Sequence, residues 1–95
     1  MVYIDAVRYA IDYYGNKLYI SHVKWTNDLC IRAVKTCDKQ AMIDFIEKQH
    51  GQVKTKYYRN GRWIVGEDVH VVEHAYLRTD ANNIKADNLE NLPEF

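Results

Sequence analysis

The chain has 95 residues, and its 13 basic and 13 acidic side chains give a formal net charge of zero. This length accommodates one domain, and the neutral charge argues against general DNA binding, which normally requires an excess of positive charge. The two cysteines, Cys30 and Cys37, are too few for a secreted disulfide scaffold. The start lacks a signal-peptide pattern, and no apolar run approaches the ~20 residues of a membrane span. We therefore expect a cytoplasmic protein with reduced thiols and no membrane association.

The first 26 residues predict a β-hairpin. Two arms rich in Tyr, Ile and Val, residues 2–14 and 17–26, flank the turn-forming pair Gly15-Asn16. Strict alternation along the second arm places Ile20 and Val23 on opposite faces of the sheet. The following segment, 30–36, is too short to assign firmly and is compatible with a short strand.

One helix is clear in the middle of the chain. Thr36 or Asp38 can serve as its N-cap, and Gly51 is a natural C′ residue after His50. Between these limits an apolar stripe recurs at helical spacing, which predicts that the helix lies across one face of the sheet. The stripe consists of Met42, Phe45, Ile46 and Gln49, with Ile43 beside it.

Strand patterns resume after the helix. The segment 52–58 is followed by Asn60-Gly61, a strong hairpin turn signal, and Gly66–Asp68 indicates a bulge or a second turn. We expect an α+β fold: a small, mostly antiparallel sheet of about four to six strands with one main helix packed on a face. Residues 1–79 would form the domain, and residues 80–95 a C-terminal latch on that domain or on a neighbouring subunit.

The C-terminal sequence carries a resemblance. An aromatic-hydrophobic-Arg-Thr run is followed by a polar spacer and by Asn-Leu-x-x-Leu-Pro, formed here by Tyr76, Leu77, Arg78, Thr79, Asn88, Leu89, Leu92 and Pro93. This pattern resembles the signature of a small family of uncharacterised bacterial and phage domains, over roughly the second half to two thirds of the chain. The resemblance implies a fold type and a cytoplasmic or phage setting, and it implies no reaction.

The residues of that signature also have a direct physical reading. Leu89 and Leu92 can enter a groove as a latch that Pro93 ends. The Arg78 guanidinium can anchor loop carbonyls or the carboxylate of Asp80 or Asp87. The alternative is that Arg78 and Thr79 bind a ligand.

Patterns for metal binding and catalysis are weak. His70 and His74 would lie ~13 Å apart on a strand, too far to share one ion, and the two cysteines form no Cys-x-x-Cys pair. No nucleophile elbow, Walker loop or dinucleotide fingerprint is present. We therefore expect no metal, no cofactor and no catalytic residues, although Cys30 with a histidine, or Glu67 with Asp68, leaves an enzyme open.

The densest functional pattern is the run from Lys54 to Trp63, in which four cationic side chains surround three aromatic ones. Aromatic faces stack on bases while Lys and Arg bind phosphates. The predicted ligand-binding residues are Lys54, Lys56, Tyr58, Arg59, Arg62 and Trp63, with Arg78 and Thr79 second. A solvated hairpin whose tyrosines pack on neighbouring strands is the structural alternative.

Two functions follow from these patterns. The first is a non-catalytic, phage-associated, anti-defence type of binding protein that self-associates and sequesters a nucleotide-like or phosphorylated small ligand. The second is a protein–protein interaction module, an inhibitor or adaptor of a host or phage protein, because tyrosines dominate interface hot spots. Its surface would be formed by Tyr3, Tyr9, Tyr13, Tyr14 and Tyr19.

Overall fold

In the computed structural model, which describes residues 1–80 and 84–95, the chain forms seven strands and one helix. The elements are β1 (Val2–Ile11), β2 (Lys17–Thr26), β3 (Lys35–Asp38), α1 (Lys39–Lys48), β4 (Val53–Arg59), β5 (Arg62–Asp68), β6 (His70–Val72) and β7 (Tyr76–Arg78). The predicted α+β class with one main helix is confirmed. Within the described residues, no helix has the length and apolar character needed to cross a membrane.

Five strands form one mixed sheet in the order β3-β2-β1-β4-β5, and β6 and β7 form a separate two-stranded sheet. All neighbours in the large sheet are antiparallel except β1 and β4. Those two run parallel, because the chain returns through β2, β3 and α1 before it enters β4. Their pairing is short, because only Val2–Ile4 of β1 pair with β4, where their partners are Val53–Thr55.

The first hairpin is confirmed, but its alternation is not regular. Three register shifts between β1 and β2 leave Asp5, Leu18 and Ser21 without a directly opposite residue. As a result Ile20 and Val23 are both fully buried in the core. The prediction that these two side chains lie on opposite faces is therefore wrong, since an extra residue in a strand reverses the alternation beyond it.

The helix begins as predicted and ends differently. Asp38 is the N-cap, and its carboxylate accepts the N–H of Ala41 at 2.7 Å. At the other end His50, with φ of 55°, adopts the left-handed conformation that the sequence assigned to Gly51. Glycine is required at position 51 for a different reason: a larger residue would not fit, because its Cβ would lie 2.1 Å from the Phe45 ring.

Two further boundaries differ from or refine the sequence prediction. The short strand lies at Lys35–Asp38 and not at 30–36, which is largely loop. Of the two alternatives for Gly66–Asp68, a bulge or a second turn, the structure has the bulge. Val65 pairs with Lys56 and Asp68 pairs with Lys54, so β5 has one residue more than β4 between these two pairs. The Thr55 hydroxyl accepts the N–H of Glu67 there at 3.0 Å, in space that a Gly66 side chain would occupy.

The C-terminal segment packs on its own chain. Leu89 is buried in the core, and Leu92 packs against the core at its margin. The Val7 N–H donates to the Pro93 carbonyl at 2.9 Å, and the Phe95 N–H donates to the Val7 carbonyl at 3.0 Å. The segment thus continues the edge of β1 beyond Ile4, where β4 no longer pairs.

Candidate ligand-binding site

An open cleft lies where β4 leaves β1. Since β4 pairs with β1 only as far as Ile4, and the C-terminal segment pairs with β1 at Val7, a gap separates the β4–β5 hairpin from that segment. The cleft has a volume of ≈ 530 Å³. It is lined by Asp5, Arg32, Tyr57, Tyr58, Arg59, Trp63, Glu90, Asn91, Leu92 and Pro93.

The hairpin supplies the aromatic wall of the cleft. Asn60 and Gly61 both have positive φ, 53° and 79°, as a two-residue hairpin turn requires. The turn places Tyr58 directly opposite Trp63, and the two rings meet edge to face with centroids 5.3 Å apart. Such pairs hold their rings in a fixed geometry, so the wall is preformed.

Two guanidinium groups line the cleft, one against Trp63 of this wall and the other against the neighbouring Tyr57. The Arg32 Cζ lies 5.2 Å from the Trp63 ring centroid, and the Arg59 Cζ lies 5.1 Å from the Tyr57 ring centroid. Stacking on aromatic faces restrains a guanidinium while leaving its N–H donors free to bind carboxylate or phosphate oxygens. The cleft therefore combines aromatic surface with two anion-binding groups.

Lys56, which was predicted as a ligand-binding residue, is buried inside the protein and does not line the cleft. Its side chain is fully buried, and its ammonium donates to the carbonyls of Asp28 at 3.0 Å, Leu29 at 3.2 Å and Ile31. Burial lowers the pKa of Lys56, and the Asp5 carboxylate, 4.0 Å away, opposes that effect. The group therefore holds the 27–34 loop over the sheet.

Asp5 holds the same loop from a second point. Its carboxylate accepts the Ala33 N–H at 2.7 Å, next to Arg32. Because the side chain of Asp5 is almost wholly buried and lies beside Lys56, its negative charge is compensated locally. Together the two residues fix the backbone that presents Arg32 to the cleft.

The other predicted cations lie elsewhere. Lys54 forms an ion pair with Asp68 at 3.2 Å, and Arg62 is exposed opposite Arg59, outside the lining of the cleft. The predicted set is thus divided. Tyr58, Arg59 and Trp63 line the cleft, whereas Lys54, Lys56 and Arg62 do not, although the buried Lys56 ammonium lies 4.2 Å from the Trp63 ring centroid.

Arg78 and Thr79 hold the C-terminal segment. The buried Arg78 guanidinium donates to both carboxylate oxygens of Asp80, at 2.9 and 2.7 Å, and to the Ala86 carbonyl at 2.8 Å. The Asp80 carboxylate raises the pKa of Arg78 by hydrogen bonding. The Thr79 N–H donates to the Asn88 carbonyl at 3.0 Å. These contacts agree with the anchoring reading of Arg78.

Sequence reasoning missed Arg32, Tyr57 and the residues 90–93 at the cleft. Arg32 lies in a segment that looked like a strand, and the C-terminal segment looked only like a latch. The available signal was the isolated Arg32 within an otherwise apolar run, "CIRAV". Nothing in that run indicated that its loop would cross to Trp63.

The five tyrosines of the alternative surface do not form one patch. Tyr13 and Tyr14 are almost fully exposed at the end of the first hairpin. Tyr19 is about half exposed in β2, and the Lys39 ammonium lies 5.1 Å from its ring centroid. Tyr3 is half-buried, and Tyr9 packs against the core, where burial raises its pKa. Only three of the five therefore share an exposed position.

The described residues contain no cluster of three or more His, Cys, Asp or Glu side chains suited to a metal ion. His74 lies in the turn between β6 and β7, not on a strand, and contacts Glu47 at 2.6 Å. Cys30 is exposed, and Cys37 is half-buried in a second, apolar cavity of ≈ 350 Å³ beside Trp25 and Phe45. Burial raises the pKa of the Cys37 thiol, which disfavours the thiolate.

The fold and the cleft define a small α+β domain with a preformed aromatic, guanidinium-lined pocket. The chain belongs to the family described as "Protein of unknown function (DUF3892)", whose model matches residues 3–93. An uncharacterised family was expected, and the match also covers the first hairpin, which lies outside the C-terminal resemblance. No curated protein and no solved structure matches the chain significantly.

Proposed function

We propose that this protein binds a compact anionic ligand that carries an aromatic ring, such as a nucleoside monophosphate, in the cleft between the β4–β5 hairpin and the C-terminal segment. The observation that carries the proposal is the pairing of the Tyr58–Trp63 wall with the guanidinium groups of Arg32 and Arg59. A base would stack on the aromatic wall, and a phosphate would accept hydrogen bonds from the arginines.

The size and charge of the cleft support a compact ligand. Small-molecule pockets commonly measure about 300–1,000 Å³, and this cleft measures ≈ 530 Å³. Two guanidinium groups face one uncompensated carboxylate, that of Glu90, since Asp5 is balanced by Lys56. That balance suits one phosphate better than a triphosphate or a polyanion.

The proposed role is non-catalytic sequestration, in the cytoplasmic and phage-associated setting that the C-terminal resemblance implies. Residues 90–93 form one side of the cleft, so the C-terminal segment contributes to the site as well as to the core. A ligand held there would be partly enclosed by the 27–34 loop through Arg32.

Isothermal titration calorimetry with adenosine monophosphate and with adenosine tests the proposal. We expect tighter binding of the phosphorylated probe, and a loss of roughly tenfold or more in Arg59→Ala, the size of one charge-assisted interaction. Arg62→Ala is the matched control, because Arg62 lies opposite Arg59 on the same hairpin but outside the cleft. Equal effects of the two substitutions, or no binding of either probe, would overturn the proposal.

A second candidate function is protein–protein interaction through the tip of the first hairpin. Ile11, Tyr13, Tyr14, Leu18 and Tyr19 are exposed there, and the Tyr13 and Tyr14 rings pack edge to face at 5.4 Å. Exposed aromatic clusters of this kind are typical of interaction sites. The double variant Tyr13→Ser, Tyr14→Ser would then abolish partner capture in a pull-down from host lysate, while Arg59→Ala would leave it unchanged.

A further inference from the structure

We propose that two copies of this chain associate through the free edge of β5, antiparallel and centred on Ile64, to join their sheets. Within the described residues, β5 is the last strand of the large sheet, and β4 is its only neighbour. The inference concerns the backbone edge of β5 and does not involve the tyrosines of the first hairpin. It shares Trp63 with the ligand proposal, because Trp63 lines the cleft and also belongs to this edge.

The hairpin register determines which backbone groups of β5 point outward. Arg59 and Arg62 flank the two-residue turn, so they form a hydrogen-bonded pair. In an antiparallel ladder such pairs alternate with pairs that lack mutual hydrogen bonds. Trp63 and Val65 occupy the latter positions, opposite Tyr58 and Lys56, so their N–H and C=O groups point away from β4.

Between Trp63 and Val65 this edge lacks the usual protection against pairing, and the bulge of β5 begins only at Gly66. Proteins guard exposed edges with Pro, Lys, bulges, very short strands or covering segments. The other edge strand, β3, has four residues and begins and ends with the charged Lys35 and Asp38. The seven-residue β5 carries three consecutive apolar residues, of which Trp63 and Ile64 are half-buried and Val65 is 38% exposed.

The charges on β5 favour a second copy in antiparallel orientation. Arg62 stands at one end of the strand, and Glu67 stands at the other, next to Asp68, which already pairs with Lys54 of its own chain. Antiparallel pairing brings the cationic end of each copy toward the acidic end of the other, whereas parallel pairing would bring like charges together. The strand is thus electrostatically self-complementary.

The outward N–H and C=O groups of Trp63 and Val65 also determine the register in which the two β5 strands would pair. Pairing centred on Ile64 sets Trp63 opposite Val65 of the second copy and Val65 opposite its Trp63. All four outward N–H groups then find carbonyl acceptors, two from each copy. In this register Arg62 would face Gly66 of the second copy.

Sedimentation velocity of the ligand-free protein tests this association. We expect a concentration-dependent dimer for the wild type and for Val65→Thr, which keeps the N–H. Val65→Pro should be monomeric, because proline removes an outward N–H and is tolerated at such edge positions. A monomeric wild type at all concentrations, or a Val65→Pro protein that dimerises like the wild type, would overturn the proposal.

Cysteine cross-linking tests the register without altering the ladder. In a Cys30→Ser background, Ile64→Cys should form an intermolecular disulfide, since the two Cα atoms would lie about 4.5 Å apart on the dimer axis. Glu67→Cys is the control, because its two copies would be separated by roughly 20 Å. Cross-linking of both variants alike, or of the control only, would contradict pairing centred on Ile64.

Discussion

The carboxylate of Asp87 accepts the backbone N–H of Ile20 at 2.8 Å and so joins the C-terminal segment to the middle of β2. The same carboxylate accepts the Leu77 N–H at 2.9 Å and the Lys39 ammonium at 3.0 Å. Its side chain is only 2% exposed. One residue therefore connects the large sheet, the helix and the two-stranded sheet.

Replacing Asp87 by Ala should destabilise the protein by about 3 kcal/mol or more, because it leaves two backbone donors and an ammonium without their acceptor. Urea denaturation measures the change in the free energy of unfolding. Asp44→Ala is the control, since Asp44 forms a surface pair with Lys48 and should cost about 1 kcal/mol at most. Similar losses in both variants would show that Asp87 is not a structural connector.

Lys56→Met should release the 27–34 loop, because the carbonyls of Asp28, Leu29 and Ile31 lose their shared donor. We expect faster amide hydrogen exchange at residues 28–33 and weaker binding in the cleft, since Arg32 lies on that loop. Lys54→Met, on the same strand but in a surface ion pair, is the control. Unchanged exchange in Lys56→Met would refute the clamping role.

Gly51→Ala should destabilise the protein by about 1–3 kcal/mol, because the added methyl group would overlap the Phe45 ring. If space is the cause, Phe45→Leu should reduce that cost in a double-mutant cycle of unfolding free energies. Additive effects of the two substitutions would mean that overlap with the Phe45 ring is not the cause of the destabilisation.

Asp12 should make the first hairpin sensitive to acid. The pKa of the Asp12 carboxyl is lowered mainly by the hydrogen bond that it accepts from the Asn16 N–H. The backbone N–H groups of Tyr14 and Gly15 lower it further. A lowered folded-state pKa means that the contribution to stability is fully present above the ordinary value of 3.8 and is lost as the pH falls through the lowered value.

Stability measured in urea below pH 4 should accordingly fall more steeply for the wild type than for Asp12→Ala. Carboxyl carbon NMR titration would measure the pKa directly. Equal acid sensitivity of the two proteins would contradict the role assigned to Asp12.

Glu90→Gln should strengthen binding of an anionic ligand, because Glu90 is the carboxylate of the cleft that Lys56 does not compensate. Titration calorimetry with adenosine monophosphate would detect the higher affinity, and the difference should shrink at high salt. Weaker binding in this variant would indicate that Glu90 contacts the ligand as an acceptor.

Local sequence signals predicted the local structure well. Asn60-Gly61 predicted the second hairpin, Asp38 the start of the helix, and Gly66 the bulge, because each depends on neighbouring residues alone. The parallel pairing of β1 with β4 was not predictable in this way. It joins segments about fifty residues apart, and no local pattern encodes such a partner.

The site was predicted only in part, because part of it also depends on contacts between residues distant in sequence. Alternation grouped Lys56 with Lys54 and Tyr58, but it carried no information on the loop that covers Lys56 and leaves Tyr58 exposed. Arg32 reached the cleft through that loop, which is fixed by contacts distant in sequence, including the bond from Ala33 to Asp5.

The most direct test of the proposed cleft uses the indole N–H signals of Trp63 and Trp25 in a two-dimensional NMR titration with adenosine monophosphate. Trp63 lines the cleft, and Trp25 lies at the second cavity as an internal control. The account predicts that the Trp63 signal shifts with saturation while the Trp25 signal does not move. A titration that leaves Trp63 unchanged, or that moves only Trp25, would contradict it.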